Sequence, residues 1–303
     1  MAGNMPACLG RTKRMTDKYA VIGNPIAHSK SPFIHLAFAT QTGQDISYER
    51  ILAPLDGFET TILELIKKNY KGVNVTVPFK FEALKFVSQH GVVNPLALTA
   101  GAINTIRFSE DGSIIGDNTD GIGLMNDIAH NLKFDISHKK VLLLGSGGAA
   151  FGILQPLLNA NPSLIVISNR TLSKAQEAAR IVSGLIEASQ TSAHPSDTTC
   201  MAQSYENLGN ATFDLVINST STGLTDTALP ILNTIFAKSC LAYDMMYGRE
   251  TPFMQQARAS GAQVADGLGM LVEQAAEAFY LWRAVRPETH SVMQQIRALS
   301  LSA

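Results

Sequence analysis

The chain has 303 residues, more than a single hydrophobic core usually serves, and we therefore expect two domains. Its 24 lysines and arginines nearly balance its 25 aspartates and glutamates, so no overall field would attract nucleic acid or an anionic membrane surface. The three cysteines, Cys8, Cys200 and Cys240, lie far apart without a C-x-x-C pair, which argues against a disulfide framework and against a metal site.

No apolar run reaches the roughly 18–20 residues that cross a bilayer, and the N-terminus lacks the apolar core of a secretory signal. We therefore expect a cytoplasmic protein, monomer or homodimer, whose partners are small molecules. Residues 1–17 show no clear periodicity and predict a flexible leader.

From Tyr19 onward, short apolar runs alternate with amphipathic stretches, which is typical of an α/β protein with a mostly parallel sheet. Strands are predicted near Tyr19–Gly23, Ser47–Leu52, Gly72–Val77 and Ala102–Phe108. Helices are predicted near Pro32–Thr40, Phe58–Lys68 and Phe79–Ser88. Asp111-Gly112 predicts the turn of a hairpin from Arg107-Phe108 to Ser113-Ile114-Ile115.

The second half begins with Lys140–Leu144, whose unbroken apolar character fits a central parallel strand buried on both faces. Further strands are predicted near Leu164–Ser168, Asp214–Asn218, Leu241–Asp244 and Gln263–Ala265. Helices are predicted at Ser173–Ser183, Pro252–Ala259 and Leu268–Arg283.

A glycine-rich turn follows the central strand directly and opens a helical pattern. Its residues are Gly145, Ser146, Gly147, Gly148, Ala149 and Ala150. Gly145 permits a tight turn, Gly147 lets the backbone approach a pyrophosphate, and the helix N-terminus offers unpaired N–H groups. Ala150 replaces the third glycine of the usual fingerprint. The strand before the turn and the helix after it predict a dinucleotide site.

The end of the next strand indicates which dinucleotide binds. NAD sites usually carry an acidic residue there, whereas Leu164–Ser168 is followed by Asn169-Arg170-Thr171 and then Lys174. A cationic corner without a carboxylate suits the 2′-phosphate of NADP. The alternative is that Arg170 and Lys174 are solvated surface charges.

Two serines follow the first predicted strand. Ser31 precedes Pro32 and suits a helix N-cap, but capping does not account for Ser29. Two hydroxyls at a strand-to-helix turn are suited to binding a carboxylate or a ring hydroxyl.

Polar residues also lie near the end of the strand predicted at 72–77. Asn74 and Thr76 would share one face because side chains alternate along a strand, and Lys80 follows just beyond. Ligands of open α/β sheets bind beyond the carboxyl ends of strands, which favours a site over a solvated surface.

A third cluster contains Asn104 and Asp120. Asn104 offers both a donor and an acceptor, while Asp120 precedes a helix, where an N-cap or Asx turn is the alternative role. With the other two clusters, this pair favours a binding site.

Four segments together resemble the signatures of the shikimate dehydrogenase family. They are Gly23–Ser31 (GNPIAHSKS), Asn74–Lys80 (NVTVPFK), Gly116–Gly121 (GDNTDG) and Asp266–Leu271 (DGLGML). The resemblance implies NADPH-dependent reduction of 3-dehydroshikimate to shikimate in aromatic amino-acid biosynthesis. It also implies a substrate-binding domain of residues 18–119 plus 267–303, to which the last predicted helix returns, and a Rossmann-type NADP domain of residues 120–266.

The resemblance implies roles for individual residues, with Lys80 and Asp120 as the catalytic pair. Together with Asn74 from the strand pattern, the predicted substrate-binding residues are Ser29, Ser31, Thr76, Asn104 and Gln274. Asn169, Arg170 and Thr171 would lie at the adenosine phosphate, and Met245, Tyr247 and Gly267 near the nicotinamide. Lys174 replaces an arginine of many NADP-using members, which predicts a less strict cofactor preference.

The role of Lys80 has two readings. A general acid works best with a pKa near the operating pH, whereas a free lysine titrates at about 10.4. Lys80 is therefore either the proton donor or an ammonium that stabilises negative charge. Two alternative functions are a quinate/shikimate dehydrogenase using NAD and a non-catalytic nucleotide sensor, against which the complete set of site residues argues.

Overall fold

The computed structural model describes residues 16–190 and 196–301, which form two six-stranded sheets covered by helices. This is the predicted α/β class. Most of the predicted leader lies outside the described residues, and the first strand already begins at Asp17. Within the described ranges, no helix is long and apolar enough to cross a membrane.

The first sheet is mixed. Its strands are β1 (Asp17–Gly23), β2 (Ile46–Leu52), β3 (Tyr70–Val75), β4 (Val92–Val93), β5 (Thr105–Phe108) and β6 (Ile114–Asp117), in the order β2-β1-β3-β5-β6-β4. β1, β2 and β3 run parallel, whereas β5 pairs antiparallel with both β3 and β6, as the hairpin prediction requires. The helices of this half are α1 (Ser31–Thr42), α2 (Phe58–Lys67), α3 (Lys80–His90) and α4 (Pro95–Ala100).

The second sheet is parallel throughout. Its strands are β7 (Lys140–Leu144), β8 (Leu164–Ser168), β9 (Thr199–Gln203), β10 (Phe213–Asn218), β11 (Phe236–Asp244) and β12 (Gln263–Ala265), in the order β12-β11-β10-β7-β8-β9. The order reverses between β7 and β10, which is where a doubly wound sheet binds its dinucleotide.

The remaining helices complete the fold. They are α5 (Asp120–Asn126), which continues as a π-helix over Asp127–Asn131, then α6 (Gly148–Asn159), α7 (Leu172–Ser189), α8 (Pro252–Ala259), α9 (Leu268–Arg283) and α10 (His290–Leu301). Short 3₁₀ turns lie at Glu206–Leu208, Ser221–Leu224 and Asn233–Ile235.

The burial pattern explains why these elements form. Val141 and Leu143 of β7 pack in one apolar cluster and Leu142 and Leu144 in another, so the strand is buried on both faces as predicted. α9 packs against the first sheet's half of the molecule, since Phe279 shares a cluster with residues of α1 and β1. Helix α9 therefore brings its polar residue Gln274 to the half of the molecule that contains the first sheet.

Several predicted boundaries were wrong. The strand predicted at 72–77 ends at Val75, just before Pro78 removes a backbone donor. The strand predicted at 102–108 begins only at Thr105, because α4 ends at a left-handed Gly101 (φ 62°) and the chain needs three more residues to enter the sheet. The elements without a prediction were β4, α4, β9 and α10, whereas the helix expected after Asp120 is α5, which already begins at that residue.

Candidate active site

A cavity of about 400 Å³ lies where the two halves of the molecule meet. It is bounded by the residues that follow β1 and β3, the start of α5, the residues after β11 and one face of α9. The sequence-predicted residues that line it are Ser29, Ser31, Asn74, Thr76, Lys80, Asn104, Asp120, Met245, Tyr247, Gly267 and Gln274. The fold thus gathers into one cavity polar residues that are up to 245 positions apart, from Ser29 to Gln274.

An ion pair lies in this cavity. Lys80 is the first residue of α3 and Asp120 the first residue of α5, and Lys80 Nζ lies 2.5 Å from Asp120 Oδ2. Their side chains are 29% and 15% exposed, so the pair is partly shielded but still reachable from the cavity. The Asp120 carboxylate does not cap its helix, because the N-cap residue is Thr119 and the Asp120 backbone N–H donates to Asn118 Oδ1. The alternative capping role is therefore wrong.

Asn104 holds the other oxygen of that carboxylate. Asn104 Nδ2 donates to Asp120 Oδ1 at 2.8 Å, while Asn104 Oδ1 accepts from the Thr119 backbone N–H at 2.9 Å. Gln274 reaches the same place from α9, with Oε1 3.4 Å from Asn104 Nδ2. One carboxylate is thus fixed between an ammonium and an amide.

The serine pair opens the cavity on the side of β1. Ser29 Oγ lies 3.2 Å from Ser31 Oγ, and the Arg50 guanidinium donates twice to the Ser29 carbonyl, at 3.0 and 2.7 Å. Ser31 is not the N-cap that the sequence suggests, because α1 already begins at Ser31 and Lys30 precedes it as N-cap. Ser29 Oγ also accepts from the Ser31 backbone N–H at 3.3 Å, so the two hydroxyls form a hydrogen-bonded pair that lines the cavity beside the start of α1.

The glycine-rich turn has the form that a pyrophosphate needs. Gly145 has a φ of +100°, a conformation that side chains disfavour, and its N–H donates to the Ser168 carbonyl at 2.8 Å. A Cβ atom placed on Gly147 would have no described atom within 4 Å, apart from its neighbours in the chain. Ser146 Oγ is buried without a hydrogen-bond partner among the described residues. An open approach and an unpartnered hydroxyl at the start of α6 fit a dinucleotide phosphate.

The residues after β8 lie outside the cavity, and β8 ends at Ser168, whose carbonyl bonds to Gly145 at the beginning of this turn. Arg170, Thr171 and Lys174 are exposed, and neither cation forms a salt bridge with a described residue. Asn169 Nδ2 donates to the Thr171 carbonyl at 3.1 Å, which shapes the start of α7. Two cations without a carboxylate partner at this position fit a 2′-phosphate.

A buried carboxylate anchors the loop that carries Met245 and Tyr247. Asp244 accepts from Thr251 Oγ1 at 2.5 Å and from the Met246 N–H at 3.0 Å. Burial raises the pKa of Asp244, and these hydrogen bonds partly oppose that rise. Gly267 N–H then donates to the Met246 carbonyl at 2.9 Å, so the loop is tied to the start of α9. Burial also raises the pKa of the Tyr247 phenol.

Sequence reasoning missed several residues of the site. His28, Lys30, Met270 and Leu271 line the cavity, and each lies inside a segment whose pattern was already informative. Tyr48 and Thr105 do not line it but bond to residues that do. Their bonds to Asn74, which lies 26 positions from Tyr48 and 31 from Thr105, depend on the pairing of distant strands and have no local signal in the sequence.

Comparison with known proteins gives a consistent result. The model of the shikimate dehydrogenase substrate binding domain matches residues 21–106, that of shikimate/quinate 5-dehydrogenase matches residues 127–223, and that of the shikimate 5′-dehydrogenase C-terminal domain matches residues 267–297. Two curated proteins named shikimate dehydrogenase (NADP(+)) align over nearly their whole length. The one from Methylobacillus flagellatus is 54% identical and covers 93% of this chain and 99% of its own. The one from Janthinobacterium sp. is 52% identical and covers 93% and 97%.

A solved structure agrees with the sequence relatives. The shikimate 5-dehydrogenase of Thermus thermophilus, in complex with NADP(H) and shikimate, superimposes with a TM-score of 0.78 at 29% identity. The match covers 94% of this chain and 99% of that one. Both sheets, and the cavity between them, therefore belong to a known architecture.

Proposed function

The chain belongs to the shikimate dehydrogenase family, and we propose that it reduces 3-dehydroshikimate to shikimate with NADPH, using Lys80 and Asp120 at the reacting centre. The expected family, α/β fold and NADP dependence are confirmed by relatives of about half identical sequence that are named for this activity. The site assignment rests on the 2.5 Å ion pair between Lys80 and Asp120, in a cavity that is also lined by the neighbouring hydroxyls of Ser29 and Ser31.

The serine hydroxyls would bind the substrate carboxylate. Ser29 and Ser31 present adjacent Oγ atoms, and Arg50 fixes the backbone that carries them. A carboxylate accepts hydrogen bonds from two neighbouring hydroxyls without distortion. Asn74, Thr76, Asn104 and Gln274 line the remaining walls and would hold the ring oxygens.

Lys80 acts on the oxygen that gains negative charge. Asp120 holds the ammonium in place, and Asn104 and the ammonium together hold Asp120. A fixed cation beside the carbonyl oxygen stabilises charge that appears only in the transition state, without reorganising at the moment of reaction. We therefore assign Lys80 the stabilising role, with proton donation from Lys80 as the alternative.

The cofactor residues divide between the two ends of NADP. The backbone of Gly145–Ala149 and the unpartnered hydroxyl of Ser146 would hold the pyrophosphate. The residues assigned to the adenosine phosphate are Asn169, Arg170, Thr171 and Lys174. Met245, Tyr247 and Gly267 border the cavity and would position the nicotinamide. When bound, NADPH supplies the hydride.

The packing of α9 supports the expected division into two domains. We assign residues 18–119 and 267–303 to substrate binding and residues 120–266 to NADP, since α9 packs on the first half and carries Gln274. The described cysteines, Cys200 and Cys240, are free thiols, which agrees with a cytoplasmic location. We assign the chain small-molecule partners only, as a monomer or homodimer.

A matrix of four oxidation assays tests the assignment against its rival. Shikimate and quinate are each offered with NADP⁺ and with NAD⁺. The missing acid after β8 and the exposed Arg170 predict a higher kcat/KM with NADP⁺ than with NAD⁺, and the relatives named for shikimate predict shikimate over quinate. A higher kcat/KM for quinate with NAD⁺ would establish the NAD-dependent quinate/shikimate alternative instead.

A further inference from the structure

A chain of hydrogen bonds runs from the interior of the first sheet to the Asp120 carboxylate. Tyr48 Oη donates to Asn74 Oδ1 at 2.7 Å, and Asn74 Nδ2 donates to Thr105 Oγ1 at 3.0 Å. Thr105 Oγ1 donates to Asn104 Oδ1 at 2.9 Å, and Asn104 Nδ2 donates to Asp120 Oδ1 at 2.8 Å. Every link points the same way, toward the carboxylate.

The register of the first sheet creates this chain. Asn74 of β3 and Thr105 of β5 are directly paired in the antiparallel ladder, and Thr105 is only 1% exposed. A threonine hydroxyl has a single proton. The Thr105 oxygen accepts from Asn74 Nδ2, and its proton can reach either Asn104 Oδ1, at 2.9 Å, or the Thr119 hydroxyl, at 3.4 Å. The shorter distance favours Asn104 Oδ1 as its acceptor.

The direction of the chain determines which end of the Asn104 amide faces Asp120. A rotated amide would turn its oxygen toward the Asp120 carboxylate and its NH₂ toward the Thr119 N–H, placing acceptor against acceptor and donor against donor. Asn104 Oδ1 accepts from the Thr119 N–H and from the Thr105 hydroxyl, each at 2.9 Å. The Thr119 hydroxyl lies 3.2 Å from Asn104 Oδ1 and 3.0 Å from Asn104 Nδ2, so it can bond to either end of the amide and does not fix its orientation. The Thr119 N–H and the Thr105 hydroxyl therefore keep the NH₂ group of Asn104 directed at Asp120.

We propose that Thr105 is a positioning residue of the reaction, which fixes the Asn104 amide through its hydroxyl and thereby holds Asp120 in line with Lys80. This inference rests on the proposed function. Thr105 does not line the cavity, so its effect on turnover passes through Asn104. Removal of the hydroxyl leaves Asn74 Nδ2 with only the longer bond to the Asn104 carbonyl, at 3.3 Å.

A mutant cycle in shikimate oxidation with NADP⁺ tests the proposal. Thr105→Val keeps the shape and removes the hydroxyl, and we expect kcat to fall about tenfold, the worth of one buried hydrogen bond. Thr105→Ser keeps the hydroxyl and is expected within about twofold of the unchanged chain. In an Asn104→Ala background, Thr105→Val should change kcat by less than about twofold, since its partner is gone.

Thr198→Val is the matched control for lost stability. Thr198 is also buried, and its hydroxyl donates to the Pro162 carbonyl at 2.7 Å, in the second half of the molecule and outside the cavity. It should lower the melting temperature as Thr105→Val does and leave kcat unchanged. If Thr105→Val does not fold, Thr105→Ala takes its place in the cycle.

The outcomes separate the two claims. The positioning role would be overturned if Thr105→Ser and Thr105→Val had the same kcat. It would also be overturned if Thr105→Val lowered kcat in the Asn104→Ala background as much as it does in the unchanged chain. In both cases the unchanged chain would remain an active dehydrogenase. An unchanged chain that does not oxidise shikimate with NADP⁺ overturns the proposed function and this inference with it.

Discussion

Lys80 Nζ lies 2.5 Å from Asp120 Oδ2, and this ion pair joins the start of α3 to the start of α5. The two residues are 40 positions apart and neither is used to cap its helix. Because neither side chain caps a helix and both line the cavity, Lys80 and Asp120 can contact a bound substrate.

Replacing Lys80 by alanine should lower kcat about 10²–10³-fold, because a donor that stabilises developing charge contributes mainly in the transition state. The KM for shikimate should change little. Lys85→Ala removes a lysine farther along the same helix, outside the cavity, and should leave both constants unchanged. Steady-state kinetics would contradict the assignment if Lys80→Ala retained near-normal kcat.

Replacing Arg170 by alanine should weaken NADP⁺ binding about 10–100-fold, the worth of a charge-assisted hydrogen bond to a phosphate, and affect NAD⁺ far less. Titration of each cofactor by calorimetry measures both constants. Arg180→Ala, an exposed arginine farther along α7, is the control. Equal weakening of NADP⁺ and NAD⁺ would refute the 2′-phosphate assignment.

Replacing Gly147 by alanine should separate cofactor binding from folding. Its φ of −91° suits any residue and its surroundings are open, so the chain should still fold, with a modest drop in melting temperature because alanine is a poorer N-cap than glycine. The added methyl group would occupy the approach of the pyrophosphate, and we expect the KM for NADP⁺ to rise at least about tenfold. Gly184→Ala, in the middle of α7, should leave that KM unchanged. An unchanged cofactor KM for Gly147→Ala would mean that the phosphate lies elsewhere.

Stability should fall with acidification because of His35. This residue is fully buried and stacked on Tyr48, with ring centroids 4.3 Å apart, and neither ring nitrogen forms a well-aligned hydrogen bond to a described residue. Burial lowers the pKa of His35 to about 3, and the Asn74 side chain beside it opposes only part of that shift, whereas an unfolded histidine titrates near 6.5. Between these values the unfolded chain binds the extra proton, so stability is lost as pH falls, by up to about 1.4 kcal/mol per pH unit.

Urea denaturation at about pH 7 and about pH 5 measures this loss. We expect His35→Phe to flatten the pH dependence, since it removes the titrating group. His130→Gln, which removes an exposed imidazole, should keep the dependence of the unchanged chain. An equal pH dependence in His35→Phe and the unchanged chain would show that His35 is not the cause.

Elements with a strong, uniform pattern were predicted to the residue. β7, β8, β12, α8 and α9 have the bounds that the sequence suggested, because each is a continuous apolar run or a regular helical period between clear breaks. β4 has two residues and α4 six, too few for a period to appear. The helix after Asp120 was expected without bounds, because it begins within a glycine-rich segment that also fits a turn.

The residues of the site likewise fall into those with a local signal in the sequence and those without one. The segments that contain Lys80, Asp120 and the glycine-rich turn carry their own local signals, so their residues could be predicted from the sequence. The role of Thr105 could be inferred only from the folded chain, because the pairing of β3 with β5 places it opposite Asn74, 31 positions away. Register between distant strands depends on packing of the whole sheet, which no local pattern specifies.

The most direct measurement of the central claim is NADPH consumption by the purified chain in the presence of 3-dehydroshikimate, with the product identified by mass spectrometry. We expect stoichiometric formation of shikimate, rapid with NADPH and slowed about 10²–10³-fold in Lys80→Ala, the loss expected for a charge-stabilising donor. No NADPH consumption by the folded, unchanged chain would contradict it.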